Sequence, residues 1–298
     1  MRSQKPSGKY QPHRARTINL LLALLCLSVL LFGFALFLNL RAQRQFRELS
    51  AQTHALPTDA APAPATLPVV TKAPETALPP ETTVPETTAG PAIETEAAVE
   101  TEPQILPEYA ALSAENPDFF GWIRIPDTRI DYPVMYSPEE PEKYLHAGFN
   151  GKYSFAGTPF LDGSCEPSSD NLLIYAHNML DGSMFRSLIK YEQKDYWQKH
   201  PVIQFDTLYE KQEYEVLAAF YDRVYYQKET CFKFYQFIQA ADEADFDNAI
   251  ARFREKALYD TGVSVSYGEQ LITLVTCAYH TDNGRFVVVA KKTRDADF

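Results

Sequence analysis

The sequence predicts a mainly β domain over residues 105–298, a closed or nearly closed β-barrel with one helix at its start and another between two late strands. Three observations predict it. Short apolar runs recur between turn residues, 17 of the 18 tyrosines fall in this part of the chain, and only one long segment has a helical period. The 191 residues from position 108 onward are enough for one good core.

Eight segments of the domain are predicted as strands. A Pro-Asp turn separates the first two, Trp122–Ile125 and Ile130–Val134. The other six are TPFLD, NLLIYAH, VIQFD, YEVLAAFYDRVYY, QLITLVTC and RFVVVAKK, which are rich in the β-branched and aromatic residues that strands favour. No internal repeat is visible, so these strands are predicted to form a single barrel.

Two helices are predicted beside the strands. Near Ile105 a short amphipathic helix carries Leu106, Tyr109 and Leu112, and Asn116-Pro117 ends it. A second helix runs from Asp245 to Leu258, just before the last two strands. Its apolar stripe consists of Phe246, Ile250, Phe253 and Ala257.

Residues 18–40 are predicted to be a transmembrane helix. The run from Ile18 to Leu38 has about 21 residues and no charge, which is long enough to span a bilayer. Five Lys and Arg residues precede it and three follow, so the positive-inside rule favours a cytoplasmic basic tail over residues 1–17 and an extracellular domain. The alternative is a cleaved signal with a secreted body, but the run is long for a signal peptide and no small-residue cleavage site follows it at once.

Residues 41–104 are predicted to be a disordered stalk rich in Pro, Thr and Glu. Eleven of the 21 prolines lie between positions 51 and 107. Such a composition cannot bury enough apolar surface to offset the entropy of ordering. Where it is extended like polyproline, at about 3 Å per residue, the stalk would hold the domain on the order of 100 Å from a membrane.

Charge and cysteine content exclude two classes of protein. The net charge is −11, and residues 108–298 alone carry 19 basic and 30 acidic side chains. An acidic body argues against a nucleic-acid partner, which requires a basic face. The four cysteines are far apart, with neither a CxxC pair nor zinc-like spacing, so they form neither a disulfide scaffold nor a metal site.

The last two predicted strands bring a possible nucleophile and a cation together. QLITLVTC ends at Cys277, RFVVVAKK begins at Arg285, and the connection contains the turn signal Asp282-Asn283-Gly284. If the strands pair as a hairpin, Cys277 and Arg285 lie at the same rim of the sheet. A nearby cation favours the thiolate form of a cysteine, and a guanidinium can stabilise a developing oxyanion.

A cysteine nucleophile needs an acid–base partner, and His177 is the best candidate. It ends the run NLLIYAH, and strand ends are where a rigid scaffold commonly presents catalytic groups. His280, in the loop after Cys277, is the second choice. Taken alone, each of these residues is more often structural than catalytic.

Together these residues resemble the sortase family, the membrane-anchored cysteine transpeptidases of Gram-positive bacteria. The resemblance extends from about Asn116 to Lys292. It is carried by TLVTC at 273–277, by Arg285 eight residues later, and by IYAH at 174–177. The family signature is TLxTC with a His about 100 residues upstream and an Arg shortly downstream.

The subclass resembles class B. Phe-Gly-Trp-Ile at 120–123, the stretch HNMLDGSMFRSL after His177, and a helix-bearing insertion at roughly 227–262 favour it. The sequence departs from the family at Ala176, where Gly is common, and at Val275, where class B often has Ser. The connection between Cys277 and Arg285 is also short for the class.

The resemblance implies an eight-stranded sortase barrel and a catalytic set of Cys277, His177 and Arg285. It also suggests that Thr276 and Leu145 contact the substrate. The implied partners are surface proteins with a C-terminal sorting motif such as NPxTx, and the amine of a cell-wall precursor or pilin; no cofactor or metal is implied, although some class A relatives use calcium. The alternatives are a stalked cysteine hydrolase and a noncatalytic wall-associated β-domain.

Overall fold

The computed structural model describes residues 12–55 and 103–293. These residues contain four α-helices and eight strands, together with three 3₁₀ helices at Lys143–Leu145, Phe185–Glu192 and Phe234–Gln236. In chain order the elements are α1 (Pro12–Ala55), α2 (Pro107–Glu115), β1 (Phe119–Arg124), β2 (Asp131–Met135), β3 (Phe160–Leu161), β4 (Asn171–Tyr175), α3 (Lys194–Lys199), β5 (Val202–Thr207), β6 (Glu213–Arg223), α4 (Glu243–Lys256), β7 (Leu271–Cys277) and β8 (Gly284–Lys292).

The eight strands close into a barrel, which confirms the mainly β fold with eight strands. Their order around the barrel is β1-β2-β3-β4-β7-β8-β6-β5. Most neighbours are antiparallel, but β2–β3 and β4–β7 are parallel pairs. The β4–β7 pair matters most, because it sets the end of one central strand level with the end of another.

Two apolar cores lie on the two faces of the central strands. On β7, Ile272 and Leu274 belong to the larger core, whereas Leu271 and Val275 belong to a second core with the buried face of α4. The buried residues of α4 are Phe246, Ala249, Ile250 and Phe253, so the predicted stripe is confirmed at three of its four positions. The N-cap Asp242 accepts a hydrogen bond from the Asp245 amide at 2.9 Å, which explains where this helix begins.

Helix α1 continues beyond the predicted transmembrane segment. It is the one helix of the described residues that is long and apolar enough to cross a bilayer, over Asn19–His54. Residues 41–55, expected to be the start of a stalk, are helix instead. The segment RAQRQFRELSAQTHA has good helix formers and few breakers, and Phe46 and Leu49 are buried against the domain. The rest of the predicted stalk, residues 56–102, lies outside the described residues, as do residues 1–11 and 294–298.

Candidate active site

Cys277 and Arg285 face each other across the last hairpin, as the sequence predicts. Cys277 is the final residue of β7, and the antiparallel register pairs it directly with Arg285 of β8. Directly paired residues project from the same face of a sheet. The thiol and the guanidinium therefore share one side of the barrel wall.

The tight turn between these strands depends on Gly284. A Cβ at this position would lie 2.2 Å from the Ala278 carbonyl oxygen. No other residue therefore fits here without a shift of the backbone. Asn283, just before it, has a φ of 55°, a conformation that Asn tolerates better than most residues. The Arg285 guanidinium lies over this turn, since its Nη1 donates to the carbonyl oxygen of Gly284 at 2.9 Å.

His177 is set level with Cys277 by the parallel pairing of β4 and β7. Tyr175 is in register with Val275. His177 and Cys277 each lie two residues further along, at the same edge of the sheet. One hundred residues of sequence separate them, yet the register alone brings both to one rim.

The backbone carbonyl of Leu145 holds the His177 ring. The distance from Nε2 to that oxygen is 3.0 Å. Because a carbonyl only accepts, Nε2 carries the proton and the neutral ring keeps Nδ1 for proton exchange. Burial lowers the pKa of His177 below its usual value of 6.5, and the neighbouring His146 lowers it further, while the bond to Leu145 opposes both effects. The rings of His146 and His177 are 5.4 Å apart.

A groove of about 360 Å³ contains all three predicted catalytic residues and both predicted substrate-contact residues. Its floor includes Tyr175 and Val275. One wall comes from the segment between β2 and β4, and the other from the segment that follows β6. The lining residues are Pro141, Glu142, Leu145, Phe160, Asp162, Gly163, Tyr175, Ala176, His177, Val224, Phe234, Tyr235, Val275, Thr276, Cys277 and Arg285.

The two predicted substrate contacts have different surroundings. The hydroxyl of Thr276 is buried and donates to the carbonyl oxygen of Ala176 at 2.8 Å, so it ties β7 to the residue before His177. The side chain of Leu145 is half-buried, and its carbonyl oxygen accepts from His177. Gly157 makes this position possible, because a Cβ there would be 2.5 Å from that same oxygen. Contact of either residue with a peptide stays a prediction.

Asn178 is a site residue that sequence reasoning missed. It is buried, its amide donates to the carbonyl oxygen of Cys277 at 2.7 Å, and its own oxygen accepts from Arg186 at 2.8 Å. Tyr175 and Asp162 were missed as well; the Tyr175 hydroxyl donates to the Asp162 carboxylate at 3.2 Å within the groove. The one available signal was position, since Asn178 directly follows the predicted catalytic histidine.

Asp222, the acid next to Arg285 in the sheet, pairs with a different cation, Lys256. Asp222 of β6 is the register partner of Arg285 on the side away from Cys277. Its carboxylate accepts from the Tyr225 hydroxyl at 2.6 Å and lies 3.2 Å from the ammonium of Lys256 on α4. Lys256 therefore compensates the buried acid and leaves the charge of Arg285 for the groove.

His280 and Cys165 are not among the residues that line the groove. His280, the second choice for the acid–base residue, packs against Tyr221, with ring centroids 4.8 Å apart. Tyr221 in turn packs on Phe286, which belongs to the opposite face of the hairpin from Cys277. Burial raises the pKa of the Cys165 thiol to about 12, so this cysteine is unreactive. No three His, Cys, Asp or Glu side chains of the described residues are grouped as a metal site requires.

A barrel that lines one groove with a thiol, an imidazole and a guanidinium defines a cysteine enzyme of the acyl-transfer class. The family model described as Sortase domain matches residues 123–293, more than half of the chain. The protein belongs to the sortase family, whose members are cysteine transpeptidases, and it is similar to class B.

The relatives support this class. The chain is 33% identical over 193 residues to sortase B of Listeria monocytogenes, covering 63% of this chain and 75% of that protein. The Staphylococcus aureus sortase B–substrate complex matches with a TM-score of 0.58 and 26% identity, over 65% of this chain and 88% of that one. A sortase B complexed with triglycine matches with a TM-score of 0.57 and 26% identity, over 66% and 89%.

Proposed function

We propose that this sortase cleaves a C-terminal sorting motif after its Thr and transfers the protein to an amine, with Cys277, His177 and Arg285 as the catalytic residues. The observation that carries the proposal is the register of three neighbouring strands. β4 and β7 bring His177 level with Cys277, and β7 and β8 pair Cys277 with Arg285. All three line the same groove.

The first half-reaction forms a thioester. The Cys277 thiolate attacks the carbonyl carbon of the Thr residue, and the C–N bond to the next residue breaks. Nδ1 of His177 first takes the thiol proton of Cys277 and then gives it to the departing amine, since Leu145 holds Nε2. In the second half-reaction an incoming amine attacks the thioester, its proton passes to His177, and the thiolate leaves.

Arg285 stabilises the negative charge on the carbonyl oxygen in both half-reactions. A guanidinium remains protonated at every physiological pH and so cannot act as a base. Its present bonds, to the carbonyl oxygens of Asn283 and Gly284, are to neutral acceptors. An oxyanion is a stronger acceptor than either, so the guanidinium can turn towards it.

The relatives and α1 support the proposed substrates and location. The sortase B solved with its substrate and the sortase B complexed with triglycine support a sorting peptide as donor and an amino group as acceptor. The acceptor is an amine of a peptidoglycan precursor or pilin. The apolar part of α1 anchors the protein in the cell membrane, with the N-terminus cytoplasmic and the barrel extracellular, in agreement with the basic residues that precede Ile18.

The test uses the full chain in detergent micelles with a pool of xPxTx peptides, with and without hydroxylamine. We expect an acyl adduct on Cys277 by mass spectrometry, and a hydroxamate in place of the residue after Thr. Cys277→Ala should abolish both products, whereas Cys231→Ala, which removes an exposed cysteine outside the groove, should not. If the peptide is cleaved only to the carboxylic acid and hydroxylamine yields no hydroxamate, the protein is a hydrolase instead. A folded protein that forms neither adduct nor product with any peptide would contradict the proposal.

A further inference from the structure

We propose that one face of the barrel, formed by the loops at residues 147–157 and 178–182, lies against the lipid surface of the membrane. The proposal rests on the insertion of α1 proposed above and deepens it. It assigns a bilayer, not another protein, as the occupant of this face. We call these two segments the lipid-facing loops.

The continuity of α1 places the loops close to the bilayer. Leucines and phenylalanines of α1 are exposed as far as Leu40, and the helix then continues without a break. The side-chain amide of Gln43 donates to the Asp181 carboxylate at 2.7 Å. The side-chain oxygen of Gln45 lies beside Gly148, 3.4 Å from where a Cβ would stand. Three to five residues of helix correspond to about 5–8 Å of rise. Both loops therefore contact α1 within about one turn and a half of the end of its apolar run.

The exposed residues of the lipid-facing loops suit a lipid interface. Leu180 is 90% exposed, Tyr153 70% and Phe155 65%. A single exposed apolar residue is ordinary on a soluble surface. Three of them on the two loops that contact α1 near the end of its apolar run match the aromatic and aliphatic side chains that anchor proteins at the headgroup level.

Charge also distinguishes this face from the rest of an acidic domain. Arg41, Arg44 and Arg47 follow the apolar run, and Lys152 is exposed on the first loop. The two loops and residues 41–54 of α1 contain two acids, Glu48 and Asp181, against these four basic side chains. Basic side chains at this level attract the anionic lipids of a bilayer surface.

The catalytic groove would then open beside the membrane. The Tyr153 ring lies 6.4 Å from the His146 ring, which lies 5.4 Å from that of His177. A sorting peptide whose following segment is embedded in the bilayer would reach His177 without leaving the lipid surface.

The experiment measures lipid contact directly. The full chain, with Cys26→Ser, Cys231→Ser and Cys277→Ala, is placed in vesicles of phosphatidylcholine and phosphatidylglycerol; Cys165 is buried and remains. A fluorophore is attached at Tyr153→Cys or Leu180→Cys, and lipids spin-labelled near the headgroup quench it. The control is Tyr267→Cys, an exposed tyrosine that precedes the start of β7, at the end of the strand away from Cys277. We expect a severalfold greater loss of fluorescence at 153 and 180 than at 267.

Each other outcome has a distinct meaning. Equal quenching at all three positions would overturn the proposal. Labels that are shielded without lipid quenching, and that become exposed on dilution of the protein in the bilayer, would assign the face to a second copy and also overturn it. A label at Leu30→Cys, within the apolar run, reports the anchor separately. If deeply spin-labelled lipids fail to quench it, the insertion of α1 fails first. The readout requires no catalysis, so it is independent of the proposed reaction.

Discussion

At the level of single residues, the side chain of Asn178 connects the backbone of Cys277 to Arg186. Its amide bonds the Cys277 carbonyl and its oxygen bonds Arg186, so both ends of the side chain are used. Asn178→Ala removes the bond that fixes the backbone of the nucleophile. We expect kcat/KM for a sorting peptide to fall by about 10- to 100-fold, because small misplacements of reacting groups cost that much. Asn248→Ala, at an exposed position on α4, is the matched control and should retain activity. Full activity in Asn178→Ala would show that the bond is dispensable.

His146 influences the protonation of His177. Burial lowers the pKa of His177 below 6.5, and a charge on His146 lowers it further. We expect His146→Gln to raise the midpoint of His177 while leaving it below 6.5, since one neighbouring charge is removed while burial persists. Hydrogen–deuterium exchange at the histidine C2 position, read by mass spectrometry, measures that midpoint in the full chain.

His280→Gln is the control for this measurement, because His280 packs on the other face of the hairpin. A midpoint that moves equally in both variants would rule out a specific effect of His146.

The lowered pKa of His177 also makes the stability of the folded protein depend on pH. Since the folded protein holds the His177 proton less readily than the unfolded chain, this contribution to stability is present above about pH 6.5 and is lost as the pH falls through the lowered pKa.

Part of the site was predictable from the sequence because it depends on local pairing. A hairpin between two neighbouring strands sets Cys277 opposite Arg285 once the turn is recognised. Asn178 and Cys277 are 99 residues apart, and His177 and Leu145 are 32 apart. Such contacts depend on the parallel β4–β7 register and on where the 3₁₀ turn at Lys143–Leu145 packs. Neither leaves a periodic pattern in the sequence.

At the level of elements, α4 supports the active-site strand through an ion pair. The Lys256 ammonium lies 3.2 Å from the carboxylate of Asp222, the neighbour of Arg285 on β6. Only 2% of the Asp222 side chain is exposed, against 27% for Lys256. Lys256→Met leaves a buried acid uncompensated, so we expect a loss of about 2–3 kcal/mol, somewhat less than for a fully buried pair. Urea unfolding of the full chain in micelles measures it.

Two further variants make this prediction specific. Lys228→Met, at an exposed position, should leave the free energy of unfolding unchanged. Adding Asp222→Asn to Lys256→Met should recover most of the loss, because the unpaired charge is then gone. If the double variant were no more stable than Lys256→Met, the cost would come from packing of the lysine stem and not from charge.

The elements differ in how far the sequence predicts them. All eight predicted segments contain a strand, because alternating or continuous apolar runs between turns are strong signals. β3 has only two residues, and α3 buries none of its six, so neither produces much pattern of its own. The end of α1 was misjudged because residues 41–55 resemble polar linker in composition. The burial of Phe46 and Leu49 that stabilises this helix depends on the barrel surface and cannot be read from the segment alone.

For the whole molecule, the important feature is that the apolar helix and the barrel form one packed unit. Phe46 of α1 meets Tyr132 of β2 edge to face, with ring centroids 5.5 Å apart, and Ser50 donates to Asp131 at the start of the same strand. His54, near the end of the helix, lies 3.3 Å from both Asp131 and Arg124. The position of the barrel therefore depends on the direction of α1 and not on a flexible spacer within residues 41–55.

Phe46→Ala tests this packing. The side chain is 4% exposed, and truncating a buried phenylalanine costs about 3–5 kcal/mol in a core. At a contact between a helix and a barrel we expect about 2 kcal/mol, which corresponds to about 4–8 °C in Tm for a domain of this size. Thermal unfolding of the full chain in micelles measures the shift, and hydrogen exchange of residues 46–54 should increase with it. Phe37→Ala, within the exposed apolar run, is the matched control and should change neither quantity. Because α1 contributes no residue to the groove, cleavage of a water-soluble sorting peptide should persist in Phe46→Ala. An unchanged Tm together with unchanged exchange would mean that the helix is not docked in solution, and the lipid-facing loops would then lose their fixed distance from the bilayer.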